Sequence, residues 1–295
     1  MKRPILLFIF NLFLLSACFS NSAETDPQKT KYYIDNKGSD TIVNLALGWA
    51  EKYQSEHPDV SVAVTGGGSG TGIAALINKT TNIANASRQI KAEEVTEAKK
   101  NGVDPMEHTI ARDAIAVIVN PNNPVSQLTI QQISDIYSGK INNWSEVGGE
   151  DRPIVRLSRE VNSGTHVYFL ETVVRMGKSD NKIFFSTDTL LLPSSEGIVS
   201  EVRQNPNAIG YDGLGYVPKD LKMIAIAPEQ GQPFILPSIA TVNDKTYPIA
   251  RDLYMYTDGK PSGALKDYLD WILSPEAQQI VADQGFVPVK QDSGG

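Results

Sequence analysis

Cysteine and histidine are scarce in this sequence of 295 residues, which contains one cysteine and three histidines. A lone cysteine cannot form an internal disulfide, and the three histidines do not follow the spacing of a metal site. The sequence also offers no clear pairing of a nucleophile with a base. We therefore expect a protein that is not an enzyme, with no cofactor, no metal ion and no catalytic residue.

Positive charge is also in short supply, because 27 Lys and Arg face 34 Asp and Glu and give a formal net charge of −7. Binding to nucleic acid depends mainly on basic side chains that contact phosphates. A nucleic-acid partner is therefore not expected. Any anionic ligand of this chain must be held by local donors and not by the overall field.

A long hydrophobic run stands near the N terminus, from Ile5 to Leu15, shortly after the basic residues Lys2 and Arg3. It is shorter than the roughly 20 residues that a transmembrane helix needs, and residues 1–18 are typical of a signal peptide. The sequence Leu-Ser-Ala-Cys at 15–18 resembles the lipobox at which bacterial prolipoproteins are lipidated on cysteine and cut. We predict lipidation of Cys18, a polar tether over 19–30, and an extracytoplasmic protein in the periplasm or at the cell surface. The alternative is a simple secretory peptide with an incidental cysteine.

Beyond residue 30, short runs rich in β-branched residues alternate with longer segments of helical periodicity, which predicts an α/β protein. The character of the chain changes around residue 112, where the continuous apolar strand DAIAVIVNP begins, and we expect the chain to cross between domains near Ala114. We predict two domains. Domain I comprises 31–114 and 245–295, and domain II is the inserted segment 115–244.

Three predicted helices begin with small hydroxyl residues next to glycine. These starts are Gly38-Ser39-Asp40-Thr41, Ser69-Gly70-Thr71 and Ser163-Gly164-Thr165. The first turn of a helix has N–H groups without internal partners, and glycine allows a ligand to approach them closely. Such starts bind anions, so a cleft between the two domains could hold one small anion. The alternative for each start is ordinary helix capping.

Two arginines lie close to these helix starts in the sequence. Arg159 precedes Ser163 by four residues, and Arg88 follows Ser87 at the end of a predicted strand. The planar guanidinium group matches an oxyanion such as phosphate. The alternative is a surface ion pair, which for Arg159 would be formed with Glu160.

At these residues the sequence resembles the phosphate-binding proteins of bacterial high-affinity phosphate ABC transporters. The resemblance covers most of the chain after residue 30 and rests on the blocks GSDT, GGGSGTGI, ASRQIK, SREVNSGTH, AIGYDGLGYV and YPIARDLYMYT. It implies a type II periplasmic-binding-protein fold, with the ligand in a cleft between two domains joined by two crossing strands. The implied partners are inorganic phosphate and the membrane permease of the transporter, and we expect a monomer.

The resemblance also implies which residues contact phosphate: Ser39, Asp40, Thr41, Ser69, Arg159, Ser163, Gly164 and Thr165. We add Arg88, which stands where well-known members have an aspartate that accepts the phosphate proton. That departure suggests that Asp40 has taken over this role. A buried carboxylate can accept a hydrogen bond from protonated phosphate but repels sulfate. The alternative is that Asp40 caps its own helix.

Three other functions stay open at this point. The same fold could bind another tetrahedral oxyanion, such as sulfate or molybdate. A sensory or adhesive lipoprotein could bind phosphate without transport. A phosphatase is disfavoured, because neither a nucleophile with its base nor clustered metal ligands are found.

Overall fold

The computed structural model describes residues 31–289. The predicted signal peptide, Cys18 and the tether lie outside the described residues. Within residues 31–289, none of the helices has the length and apolar character that crossing a membrane requires.

Strands and helices alternate along the described chain, as the sequence predicts for an α/β protein. The strands are β1 Tyr32–Gly38, β2 Val60–Thr65, β3 Ile83–Ala86, β4 Pro105–Val119, β5 Gln127–Thr129, β6 Val155–Arg159, β7 Leu190–Leu192, β8 Ala208–Gly213, β9 Lys222–Met223, β10 Ala225–Ala227 and β11 Ala250–Asp258. The helices are α1 Asp40–Glu56, α2 Ser69–Ile77, α3 Ala92–Lys100, α4 Ile130–Tyr137, α5 Gly164–Phe169, α6 Ser195–Gln204, α7 Ile239–Asn243, α8 Gly263–Ile272 and α9 Pro275–Asp283.

One curled sheet of nine strands forms the framework, in the order β2-β1-β3-β11-β4-β8-β6-β7, with β9 paired to β4. The pairs β1–β2, β1–β3 and β6–β8 are parallel, whereas β11 runs antiparallel to both β3 and β4. Strands β5 and β10 form a separate parallel pair. The carboxyl ends of parallel strands meet at one edge of a sheet, so the segments that follow β1 and β3 come together.

Strand β4 is the long element that connects the two halves of the sheet. Its first part pairs with β11, from Pro105 opposite Asp258, and its last part pairs with β8, up to Val119 opposite Ile209. The apolar run in the sequence predicts this strand only from residue 113. Residues 105–109 extend it, although Glu107, His108 and Thr109 are polar and the segment is partly exposed, because β11 supplies backbone partners.

The buried apolar side chains form separate clusters on the two sides of the middle of β4. One cluster joins α1 with the C-terminal helices, and the Trp49 indole Nε1–H donates to the Ala277 carbonyl at 2.9 Å. Another contains Tyr137, Phe169 and Tyr211, and the rings of Phe169 and Tyr211 stack with centroids 3.6 Å apart. Each cluster needs its own helices to cover its face of the sheet.

Candidate anion-binding site

The three predicted helix starts are present, and two of them follow strands of the same half of the sheet. Helix α1 begins after β1 at Asp40, α2 begins after β2 at Ser69, and α5 begins after β6 at Gly164. Ser163 caps α5, because its hydroxyl accepts from the Thr165 N–H at 3.2 Å. The predicted capping role is thus confirmed for Ser163, whereas the Ser39 side chain makes no capping bond to its own helix.

Hydroxyl groups from distant parts of the chain meet between these helix starts. The Ser39 hydroxyl donates to the Ser87 Oγ at 2.9 Å, and the Ser87 Oγ lies 3.3 Å from the Ser69 Oγ. The Thr41 and Thr165 Oγ1 atoms are 2.8 Å apart. All five side chains are buried. The structure therefore brings together Ser39, Thr41 and Ser69 with Thr165 from the other half of the chain.

Ser87 also belongs to this hydroxyl cluster, although it was not among the site residues predicted from the sequence. Its N–H donates to the Ser69 Oγ at 3.0 Å, which fixes the start of α2 against the end of β3. The feature of the sequence that could have indicated Ser87 is its position directly after β3, a buried strand that is parallel to β1. Residues at that position share the sheet edge at which α1 begins.

Gly164 lies where the start of α5 approaches Ser69 and Ser87 from the other half of the chain. A Cβ atom on this residue would stand 2.3 Å from the Ser69 Oγ and 2.6 Å from the Ser87 Oγ. These separations are far shorter than any normal contact. Only glycine fits here while the hydroxyl cluster keeps its shape.

Arg159 and Asp40 form an ion pair that also joins the two halves. The Arg159 Nη2 donates to the Asp40 Oδ2 at 2.6 Å, and the Nη1 donates to the Ser195 Oγ at 2.9 Å. The Asp40 Oδ1 accepts from the Gly67 N–H at 2.8 Å. The pairing of Arg159 with Glu160 is therefore wrong. A capping role of Asp40 is not seen either, because its carboxylate bonds to Gly67 and Arg159.

A second buried arginine, Arg251 on β11, was not found from the sequence. Its Nη2 donates to the Thr165 Oγ1 at 3.0 Å and lies 3.4 Å from the Thr41 Oγ1. It pairs with Asp113 on β4 at 3.0 Å, and its Nη1 donates to the Ser87 carbonyl at 2.8 Å. Burial raises the pKa of the Asp113 carboxyl to about 6, although the adjacent guanidinium opposes this rise.

The Arg251 bonds determine where the threonine protons point. Each hydroxyl has one proton and two lone pairs, and each accepts from Arg251. If one hydroxyl of the Thr41–Thr165 pair donates to the other, the acceptor has both lone pairs filled. Its own proton must then point to a further acceptor, so the pair is arranged to donate to an anion.

Arg88 lies outside the hydroxyl cluster, although the sequence suggested it as an anion ligand. Its two terminal nitrogens donate to both carboxylate oxygens of Glu94 at 2.7 and 2.8 Å. Burial raises the pKa of Glu94, but the hydrogen bonds from Arg88 and from the Lys91 N–H outweigh it and lower the pKa overall. Arg88 anchors the start of α3 in this structure. No hydrogen bond within residues 31–289 joins it to Asp40.

His166 follows Thr165 in the helix next to the site but faces away from the hydroxyls. Its Nδ1 lies 2.9 Å from the Arg159 carbonyl and 3.0 Å from the Ser158 Oγ. Burial lowers the pKa of this imidazole. Across residues 31–289, no group of three or more His, Cys, Asp or Glu side chains is arranged to hold a metal ion.

The model of the PBP superfamily domain matches residues 22–276, which is most of the chain. The chain belongs to the PBP superfamily. Among curated relatives, the phosphate-binding protein PstS of Pseudomonas aeruginosa is 32% identical and aligns over 87% of this chain and 83% of its own length. The PstS of Bacillus subtilis is 29% identical over 98% of this chain and 94% of its own length.

Solved structures agree with this membership. A Clostridium perfringens substrate-binding protein with bound phosphate is 34% identical, with a TM-score of 0.77, and the match covers 88% of this chain and all of that one. An ABC-type phosphate transport receptor from Vibrio cholerae is 28% identical, with a TM-score of 0.70, over 87% of this chain and all of its own. The predicted family of phosphate-binding proteins and its two-lobed α/β fold are thereby confirmed.

Proposed function

We propose that this chain binds inorganic phosphate outside the cytoplasm and delivers it to the membrane permease of an ABC transporter for import. The observation that carries the proposal is the buried set of hydroxyl donors and Arg159, contributed by both halves of a chain whose relatives are phosphate-binding proteins. Hydroxyls, backbone N–H groups and one guanidinium suit a small oxyanion in a protein of negative net charge. The proposed action is binding and release, without catalysis.

The residues proposed to contact phosphate are Ser39, Asp40, Thr41, Ser69, Arg159, Ser163, Gly164 and Thr165. Ser87 and Arg251 support them, because Ser87 bonds to two of the serines and Arg251 to both threonines. The contacts across the site, such as Thr41 to Thr165, suit a closed arrangement that excludes water. In such a site each donor interacts with the anion more strongly than it would in solution.

We further propose that the two lobes are the predicted domains, 31–114 with 245–295 and the inserted 115–244. The division of the apolar side chains supports this, since the cluster around Trp49 draws its residues from the first set and the cluster around Tyr137 draws almost all of its own from the second. The crossing strands β4 and β11 would then be the hinge.

The proposed location is the outer face of a membrane, where a lipid on Cys18 tethers a monomer through residues 19–30. The support is the lipobox-like sequence and its apolar run. Metabolic labelling with a radioactive fatty acid tests it. The wild-type chain should be labelled and Cys18→Ser should not.

Calorimetry with the chain from Ser20 onward, freed of bound ligand, tests the function. Phosphate should bind tightly with one site per chain, and sulfate should not bind. Absence of phosphate binding would leave the fold in place and remove the proposed function. Tight binding of sulfate or molybdate in its stead would assign the site to another tetrahedral oxyanion.

We expect Asp40→Asn to reduce the preference for phosphate over sulfate by about 10- to 100-fold, the value of a hydrogen bond to a charged group. Each Asp40 oxygen accepts one bond in the structure and has a second lone pair for a phosphate proton. An amide keeps one acceptor and loses the charge that repels sulfate. Competition titrations of phosphate and sulfate measure the ratio.

The exposed Asp59 provides the control, because Asp59→Asn makes the same chemical change away from the site. It should leave both affinities unchanged. If the ratio of phosphate affinity to sulfate affinity is unchanged in Asp40→Asn, Asp40 does not contribute to the selectivity.

We expect Arg88→Met to lower the free energy of unfolding by about 1–3 kcal/mol, because Glu94 loses its charged partner. The phosphate Kd should stay within about twofold of the wild-type value, as for changes away from a site. Urea denaturation and calorimetry on the same protein separate the two effects. A large rise in the phosphate Kd of Arg88→Met with an unchanged free energy of unfolding would indicate that Arg88 does contribute to phosphate binding.

A further inference from the structure

Asp212, near the end of β8, is a buried carboxylate with an incomplete set of partners. Its side chain is fully buried, and its Oδ1 accepts from the adjacent Gly213 N–H at 2.8 Å. Among the described residues, no group makes a hydrogen bond to its Oδ2. The nearest positive charge is the Arg159 Nη1, at 4.0 Å from that oxygen. A buried ionised oxygen without a hydrogen bond is unfavourable.

The charged groups around the site carry more negative than positive charge. Arg159 lies between Asp40 and Asp212, and Arg251 pairs with Asp113. The two guanidinium groups therefore face three carboxylates before any ligand arrives. A phosphate ion would add one or two further negative charges in a setting where water cannot screen them. Uptake of a proton by one carboxylate is the simplest compensation.

The hydrogen bonds identify which carboxylate is best suited to take up that proton. Both oxygens of Asp40 accept hydrogen bonds, from Gly67 and Arg159, and both oxygens of Asp113 accept them, from the Leu214 N–H and Arg251, so each of these oxygens already has a partner. Asp212 accepts from its neighbouring N–H at Oδ1, and the nearby Ser195 hydroxyl lowers its pKa, but its Oδ2 has no partner at hydrogen-bond geometry among the described residues. Its pKa is raised by burial, against the opposing effect of Arg159.

Among the other titratable groups near Asp212, Asp113 is the competing acceptor for the proton, and both of its oxygens already accept hydrogen bonds. The neighbours on the packed elements are Arg159 on β6, Ser195 on α6, Arg251 on β11, Asp113 on β4, and the phenols Tyr211 and Tyr216. Burial raises the pKa of both phenols, which therefore stay protonated. A bound anion next to Arg159 would offset the positive charge of that guanidinium. The ionised form of Asp212 would then be less stabilised by Arg159.

We propose that Asp212 takes up one proton from solvent when phosphate binds, so that binding is linked to proton uptake. The inference rests on the proposed function, since it requires an anion next to Arg159. The proton forms an O–H bond at Oδ2, the oxygen without a partner, and no other bond changes. Asp212 is then a residue of the binding reaction that does not touch the ligand.

Calorimetry in buffers of different ionisation enthalpy measures the protons taken up per phosphate, and Asp212→Asn removes the acceptor while keeping the shape. The number of protons taken up per phosphate bound should be lower in Asp212→Asn than in the wild type, by up to one proton. Because proton-linked binding weakens as pH rises, the ratio of the wild-type Kd to the Asp212→Asn Kd should rise by up to tenfold per pH unit. The titration of phosphate itself is common to both proteins and cancels in this ratio. Asp59→Asn is the matched control and should keep the wild-type proton number.

The outcomes separate this proposal from the function on which it rests. If wild-type protein gives no heat with phosphate, the proposed function fails. If it binds phosphate but Asp212→Asn has the same proton number and a ratio independent of pH, only the role of Asp212 is overturned. Infrared difference spectra of the wild-type protein provide a second measurement should the variant not fold. Phosphate should produce the carbonyl band of a protonated carboxylic acid, and absence of that band would also overturn the proposal.

Discussion

Replacing Arg159 with glutamine should weaken phosphate binding by roughly 30- to several-thousandfold, which corresponds to about 2–5 kcal/mol for one partner of a buried, hydrogen-bonded charge pair. The guanidinium bonds to Asp40, to the Ser195 hydroxyl and to two backbone carbonyls, so it is held rigidly in place. Glutamine cannot replace the fork of donors or the charge. The variant also removes the ion-pair partner of Asp40 and the positive charge nearest to Asp212, so both carboxylates repel phosphate more strongly.

Arg203→Gln is the control for this substitution. Arg203 pairs with Asp220 on the surface, where both side chains are about half exposed, and it lies outside the site. Its replacement should leave the phosphate Kd unchanged. Thermal unfolding of both variants distinguishes a loss of ligand contacts from a loss of folded protein. A folded Arg159→Gln protein with wild-type affinity would contradict the proposed site.

Replacing Gly164 with alanine should weaken phosphate binding by more than about tenfold, because the added methyl group overlaps the hydroxyl cluster and such overpacking typically costs about 1–3 kcal/mol. The Cβ atom would lie 2.3 Å from the Ser69 Oγ. The two halves of the chain would have to separate, or the serines would have to turn away from the anion. Calorimetry measures the affinity, and small-angle scattering with phosphate present reports any wider separation of the lobes.

Gly197→Ala is the matched control, since this glycine lies in the first turn of α6 with its nearest non-bonded atom 3.3 Å from the added Cβ position. It places the same methyl group near a helix start in the same half of the chain. Phosphate affinity should remain close to that of the wild type. Equal affinities for the two alanine variants would mean that the close approach at Gly164 has no part in binding.

The local features of the fold were predictable, because hydroxyl residues and glycine at a helix start act within a few residues of the chain. The starts of α1, α2 and α5 and the pair of C-terminal helices are found where the sequence placed them. The partners of Arg88 and Arg159 were not predictable. Glu94 is close in sequence but needs the turn of α3 to reach Arg88, and Asp40 is more than a hundred residues from Arg159.

Arg251 and Asp212 were missed for a related reason. Each is a charged residue inside a largely buried strand, and a sequence gives no indication that a buried partner lies on a neighbouring strand. Asp113 and Arg251 are opposite each other only because β4 and β11 pair in one register. Such register depends on the whole sheet and not on the local pattern.

The contact between Trp49 on α1 and Ala277 on α9 has a consequence for the order in which the chain can fold. The first lobe cannot close its apolar cluster until β11, α8 and α9 have been added, and these are the last described elements. Because the chain leaves the ribosome N terminus first, the apolar face of α1 stays exposed until these last elements have been synthesised. Contacts of such high sequence separation make folding slow. A core that closes late is compatible with the proposed export across a membrane, because the first lobe becomes compact only when its last helices are available.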